Sequence, residues 1–151
     1  MLGCQDQRVS LYLRLLTTHA AIYERTGGLL GHRLLGVPTI LLRTTGRKTG
    51  LERSSALVYA VDDQHPETLL VVASNGGADR PPAWLLNVTA KSDVTVQLRR
   101  KKYAAIATPI FPGEPDYDRL MALCNANNRG RYARYRTMTE RPIPVVALTP
   151  R

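Results

Sequence analysis

Between two β-prone runs, residues 38–43 (Pro-Thr-Ile-Leu-Leu-Arg) and 51–60, lies the segment Thr44-Thr45-Gly46-Arg47-Lys48-Thr49-Gly50. The glycines punctuate a tight turn, so this stretch reads as a hairpin whose bend carries two adjacent cations and several backbone N–H groups. No helix follows immediately. A P-loop needs Gly-x-x-x-x-Gly-Lys-Ser/Thr opening a helix, and a dinucleotide site needs Gly-x-Gly-x-x-Gly; neither pattern is present. A phosphate bound here would be held by side chains and turn amides. The alternative is a basic turn that faces only solvent, and the bend alone does not separate the two.

The rest of the 151-residue chain reads as one mixed α+β domain, long enough to bury a core without metal or disulfide support. Residues 1–35 are read as an amphipathic helix and connector. Val9, Leu13, Leu16, Ala20 and Tyr23 share a helical face, and Gly27-Gly28 ends the run. That helix either packs on the core or, with Arg8, Arg14 and Arg25, lies on a membrane surface or covers a site. In 36–151, the carboxylates of the 62–67 stretch read as turn formers, and 68–73 reads as a buried strand. Ser74-Asn75-Gly76-Gly77-Ala78-Asp79-Arg80 then leads into a helix opened by Pro81-Pro82. Such a junction can direct N–H groups at an anion or a ring edge, or be an ordinary helix start. Residues 93–98 and 103–111 form a second hairpin around the basic run 99–102. Residues 115–124 read as a helix with Leu120 and Leu123 inward, and 143–148 as a last strand. Tyr132 and Tyr135, three apart, can share a face, either as packing residues or as part of a site.

Charge narrows the partners without choosing among them. Lys and Arg total 21 against 12 Asp and Glu, a net +9, which attracts nucleic acid, anionic lipid and anionic small molecules alike. Readers of single strands interleave cations with aromatics, whereas only Tyr103 follows the basic run, so nucleic acid is not expected. Cys4 and Cys124 match no redox or metal spacing, His19, His32 and His65 are scattered, and no metal is expected. No apolar run approaches a membrane span and no leader pattern opens the chain, so a cytoplasmic protein is expected, with peripheral membrane contact left open.

Four segments recur in an order that matches a known group: residues 41–50 (Leu-Leu-Arg-Thr-Thr-Gly-Arg-Lys-Thr-Gly), 72–77 (Val-Ala-Ser-Asn-Gly-Gly), 82–87 (Pro-Ala-Trp-Leu-Leu-Asn) and 132–146 (Tyr-x-x-Tyr-x-x-Met-Thr-x-Arg-x-Ile-Pro-Val-Val). Together they resemble the deazaflavin (F420)-dependent nitroreductase family, over nearly everything after Gly36. The resemblance implies an antiparallel split β-barrel, akin to flavin-reductase and pyridoxamine-phosphate-oxidase barrels, with flanking helices. It also implies coenzyme F420, which carries a phosphate and an oligoglutamate tail. Arg47, Lys48 and Thr49 would bind the phosphate, with Arg53 reaching it from the next strand. Ala56, Leu57 and Val58 would run beside the deazaflavin ring, Ala73, Ser74, Asn75 and Gly76 along its other edge, and Trp84 and Asn87 would complete the pocket. Tyr132, Tyr135 and Ser74 match residues near the acceptor.

This chain departs from the family's pattern in three places. Asn75 stands where lysine is frequent, and Val58 and Arg129 stand where the nitroimidazole-activating member has tyrosines. The departures point away from bulky nitro compounds, and the hydride chemistry of the coenzyme that the resemblance implies points to a quinone or enone as acceptor. A noncatalytic deazaflavin carrier and an enzyme using flavin mononucleotide (FMN) are the alternatives.

Overall fold

A computed structural model describes residues 33–34 and 37–151. The helix expected near the N-terminus, with Cys4, His19 and His32, lies outside the described residues. The strands are β1 (Arg33–Leu34), β2 (Val37–Thr45), β3 (Glu52–Val61), β4 (Leu69–Val72), β5 (Asp93–Leu98), β6 (Lys101–Ile110) and β7 (Val145–Pro150). The α-helices are α1 (Ala83–Ala90), α2 (Tyr117–Asn127) and α3 (Arg131–Arg136). The sheet order is β1-β2-β3-β4-β7-β6-β5, and β5 returns to pair with β2, so the antiparallel sheet closes into a barrel. Closure gives β2 a partner on each edge, β3 and β5, and residues 39–44 of the strand are all buried.

Side-chain alternation divides the apolar residues between two cores. Leu69 and Val71 of β4 turn into the barrel with Ile40, Leu42, Val96 and Leu148, capped by Trp84, Leu85 and Val88 of α1. Leu70 and Val72 turn the other way, against Tyr117, Leu120, Met121 and Cys124 of α2. β4 is therefore buried on both faces, which is why it reads as a continuous apolar run. Tyr117 donates from its hydroxyl to Ile143 O at 2.7 Å, tying α2 to the segment before β7. Cys124 is buried in this second core, and burial pushes its thiol up to about 12, which leaves it protonated at neutral pH.

Two strand boundaries and the role of one turn differ from the sequence reading. Lys101 and Lys102 belong to β6, opposite Leu98 and Gln97, so the turn is only Arg99-Arg100, with Arg99 left-handed at φ 56°. β7 begins at Val145 because Pro144 has no N–H to donate, while its carbonyl accepts from Ala73 N–H at 3.1 Å. The carboxylates between β3 and β4 do more than form a turn: Asp62 is buried and accepts from Arg119 of α2 at 2.8 Å, and Asp63 also pairs with Arg119. Burial pushes the Asp62 carboxyl up, but the Arg119 hydrogen bond, the Gln64 N–H and the nearby positive charge outweigh it and hold the group below its usual range.

Candidate active site

The barrel is split between β3 and β4. β2 pairs with β3 from Glu52 to Val58, whereas β4 pairs with it only at Tyr59, Ala60 and Val61. Among the described residues, the other edge of β3 before Tyr59 is therefore uncovered, and alternate residues there direct N–H and C=O groups outward. A cavity of about 430 Å³ lies along this edge. β3 contributes Ser54, Ser55, Ala56, Leu57 and Val58 to its wall, and Val72 stands at the end of β4. Ser74, Asn75, Gly76 and Arg80 line it from the loop after β4; Pro81, Pro82, Ala83 and Trp84 from the start of α1; and Asn128 and Tyr132 from the α2–α3 corner.

The loop is unusual in its backbone. Ser74 is right-handed, but Asn75, Gly76 and Gly77 come next with φ of 46°, 64° and 82°. Asn75 tolerates this conformation better than most side chains, and its Nδ2 donates to Arg80 O at 2.9 Å, closing the loop on itself. Gly77 is required for a second reason: a Cβ there would stand 3.0 Å from Tyr135 O and 3.1 Å from Met138 Cβ. The loop therefore packs directly on the end of α3 and on Met138 just beyond it.

Arg141 holds the loop from behind. Its Nε donates to Ala78 O at 2.9 Å, Nη2 to Ser74 O at 2.8 Å, and both terminal nitrogens to Ala73 O at 3.2 Å. Thr139 adds a bond to Asp79 Oδ1 at 2.8 Å. Burial disfavours the Arg141 charge and lowers its pKa, while three backbone carbonyls replace the lost water.

The cationic bend forms as expected between β2 and β3. Gly46 N–H donates to Leu51 O at 2.7 Å and Gly50 N–H to Gly46 O at 2.8 Å, with Gly50 at φ 69°. Arg47, Lys48, Thr49 and Arg53 are exposed; none lines the cavity, although Arg53 directly precedes the β3 residues that do. Asn87 does not line the cavity either. It is 4% exposed, accepts from Arg47 N–H at Oδ1 (3.1 Å) and donates from Nδ2 to Thr44 Oγ1 (3.1 Å), so it fastens α1 to the bend. Ala73 is fully buried behind the loop.

Of the two tyrosines, Tyr132 reaches the cavity and Tyr135 does not. Their rings meet edge to face, 6.3 Å apart at 68°, with the Arg134 guanidinium 5.6 Å from the Tyr135 centroid. The sequence reading missed Ser54, Ser55, Arg80, Asn128 and Arg141. Two short hydroxyl residues in a strand, and a cation directly before Pro-Pro, were the available signals for the first three. Arg141 stood inside a family-like segment with no sign of its partners.

The Asn87 linkage makes a prediction. Asn87→Leu leaves the Arg47 N–H and the buried Thr44 hydroxyl without that partner, at a cost of about 1–3 kcal/mol. Thermal unfolding should show the loss, and the loosened bend should weaken anion binding. An unchanged midpoint would remove the linkage as a support of the fold.

An antiparallel barrel split along β3, with a concave site in the split and a cationic bend in the adjoining hairpin, places the chain among split β-barrel proteins. Residues 15–150 match the family model for F420H(2)-dependent quinone reductase. The chain belongs to that family, which bears out the deazaflavin-dependent reductase expected from the motifs. It is 45% identical over 140 residues to F420H(2)-dependent quinone reductase Rv1261c of Mycobacterium tuberculosis (strain ATCC 25618 / H37Rv), covering 92% of each chain. Among solved structures it resembles an F420-H2 dependent reductase (FDR-A), with TM-score 0.63 and 31% identity over 74% of this chain and 93% of that one. It also resembles a chain described as a domain-swapped dimer, with TM-score 0.65 and 29% identity over 92% of this chain and 98% of that one. A heme storage protein, HutZ from Vibrio cholerae, shares the fold alone, at TM-score 0.55 and 15% identity over 75% of this chain and 81% of that one.

Proposed function

We propose that the protein binds reduced F420 in the split of the barrel and passes a hydride to a quinone or a similar conjugated carbonyl compound. One observation carries the reading: the uncovered edge of β3 borders the cavity and runs, in the same hairpin, into the cationic bend. A flat ring with polar edges and an anionic tail needs that combination. The small side chains of Ser54, Ser55, Ala56, Gly76 and Ala83 leave room for a ring, and the cavity falls within the usual range for small-molecule sites.

In this assignment Arg47, Lys48 and Thr49 hold the coenzyme phosphate, with Arg53 beside them, and Arg80 adds a cation nearer the ring. Backbone groups of Ala56, Leu57 and Val58 meet one ring edge, and Ser74, Asn75 and Gly76 meet the other, with Ala73 and Asn87 acting from behind. The coenzyme, when bound, supplies the hydride. The chain's own work is to orient the ring, exclude water with Trp84, Leu57 and Val58, and present the Ser74 and Tyr132 hydroxyls to the acceptor. Tyr135 acts through its packing on Tyr132.

Cytoplasmic residence with contact at the membrane surface belongs to the same reading, since a lipophilic quinone partitions into lipid. Among the described residues no helix is long and apolar enough to cross a membrane. Cell fractionation tests the location.

The purified protein should accelerate oxidation of reduced F420 by menadione, and a rate equal to the protein-free control would overturn the catalytic reading. A nitroimidazole in place of menadione should react far more slowly, because Val58 and Arg129 replace tyrosines there. Arg47→Ala combined with Lys48→Ala should raise the F420 dissociation constant roughly tenfold or more, by loss of charge-assisted contacts. Titration with FMN alongside F420 separates the two coenzymes, and F420 affinity unmoved by the double substitution would remove the phosphate assignment.

A further inference from the structure

Asn128 is the most deeply buried polar side chain at the end of the cavity formed by the α2–α3 corner. It is 4% exposed, caps α2 by donating its backbone N–H to Cys124 O at 3.0 Å, and lines the cavity beside Tyr132. The Arg131 guanidinium donates from Nη1 to its side-chain amide at 3.2 Å. Because a guanidinium has only donors, the atom it meets must be the amide oxygen, and this settles which way round the amide sits. The nitrogen, with two N–H donors, makes no hydrogen bond to any other described residue. An amide donor with no described protein partner, on a residue in the wall of a cavity, is free to meet an acceptor on a ligand there.

We infer that Asn128 joins the Ser74 and Tyr132 hydroxyls as a hydrogen-bond donor to the carbonyl oxygen of the hydride acceptor; this rests on the reductase reading above. When the hydride forms a C–H bond on the conjugated acceptor, an electron pair moves onto that oxygen, which then takes a proton from water. A donor already aimed at the oxygen gains strength as charge develops there, so it acts on the transition state more than on the bound ground state. Arg131 is the positioning residue: it holds the amide oxygen away from the acceptor and the nitrogen toward it. Selectivity for conjugated carbonyls over other oxidants comes from the same contact.

The test compares two oxidants of reduced F420: menadione, which has carbonyl oxygens, and methylene blue, which has none. Asn128→Asp keeps the shape and the Arg131 contact but removes the donor. It should lower kcat/KM for menadione about 100-fold, with F420 affinity within about twofold and the methylene blue rate within about threefold of the unsubstituted protein. Asn128→Ala, which has no side-chain donor, serves if the aspartate variant does not fold, with the same expectation. Arg131→Ala should lose about tenfold with menadione alone, since the amide can then turn over. A menadione rate within threefold of normal, or an equal fall with both oxidants, would overturn the assignment while leaving the reductase reading intact. If the unsubstituted protein fails with menadione, both fall.

Discussion

Replacement of Arg141 by methionine is expected to lower the melting temperature by roughly 10 °C and to raise the F420 dissociation constant about tenfold. Methionine keeps the apolar stem and removes the guanidinium, which donates to Ala73 O, Ser74 O and Ala78 O. Hydrogen bonds to a charged group contribute about 1.5–3 kcal/mol each. Arg141 is only partly buried and water can reach some of the vacated carbonyls, so about 3 kcal/mol in total is a reasonable expectation. For a chain of this size that corresponds to a midpoint shift on the order of 10 °C. The binding effect has a separate origin. The loop holds three consecutive left-handed residues from Asn75 to Gly77, a conformation that persists only where its surroundings enforce it. Without Arg141 the bound loop geometry must be restored at the expense of coenzyme affinity. Arg141→Lys should recover only part of both losses, because one ammonium cannot span three carbonyls. Thermal unfolding and coenzyme titration check the two effects, and unchanged values for both would show that Gly77 packing, the Asn75–Arg80 bond and the Thr139–Asp79 bond hold the loop without Arg141.

Trp84→Ala should cost more. Trp84 is 6% exposed, stands in the first turn of α1, packs into the barrel core and also faces the cavity. Removing the indole costs about 3–5 kcal/mol through lost burial and the void left behind. Urea unfolding should show an unfolding free energy lower by that amount, and the coenzyme site should lose its wall at the α1 end. Trp84→Phe fills most of the void and should restore most of the stability while leaving the binding loss measurable. Since Trp84 is the sole tryptophan of the chain, coenzyme binding should quench the intrinsic fluorescence of the unsubstituted protein. Binding detected by another method with no change in that fluorescence would separate Trp84 from the ligand.

The strands and the bend could be read in advance because their causes are local. Gly46 and Gly50 supply turn geometry wherever the hairpin goes, and the apolar run at β4 had to be buried on both faces. Residue types could not say what each side chain would meet. Asn87 and Asn128 carry the same amide, yet among the described residues one is consumed between Thr44 and Arg47 while the other lines the cavity with only its oxygen engaged, by Arg131. Tyr132 and Tyr135 share a helical face by spacing, but α3 is short and meets the cavity at a corner, so only Tyr132 reaches it.

Among the described residues, order and type of the elements, the cationic bend and the kinship with deazaflavin-dependent reductases were present in the linear chain, because turn residues and apolar periodicity act over a few positions. The open edge of β3, the clamp by Arg141 and the place of Asn128 in the cavity wall depend on distant segments meeting: β5 with β2, residue 141 with residue 73, and the α2–α3 corner with the split. Burial and hydrogen-bond partners exist only after those encounters. Closure of the barrel therefore turned a recognisable hairpin into one wall of a site.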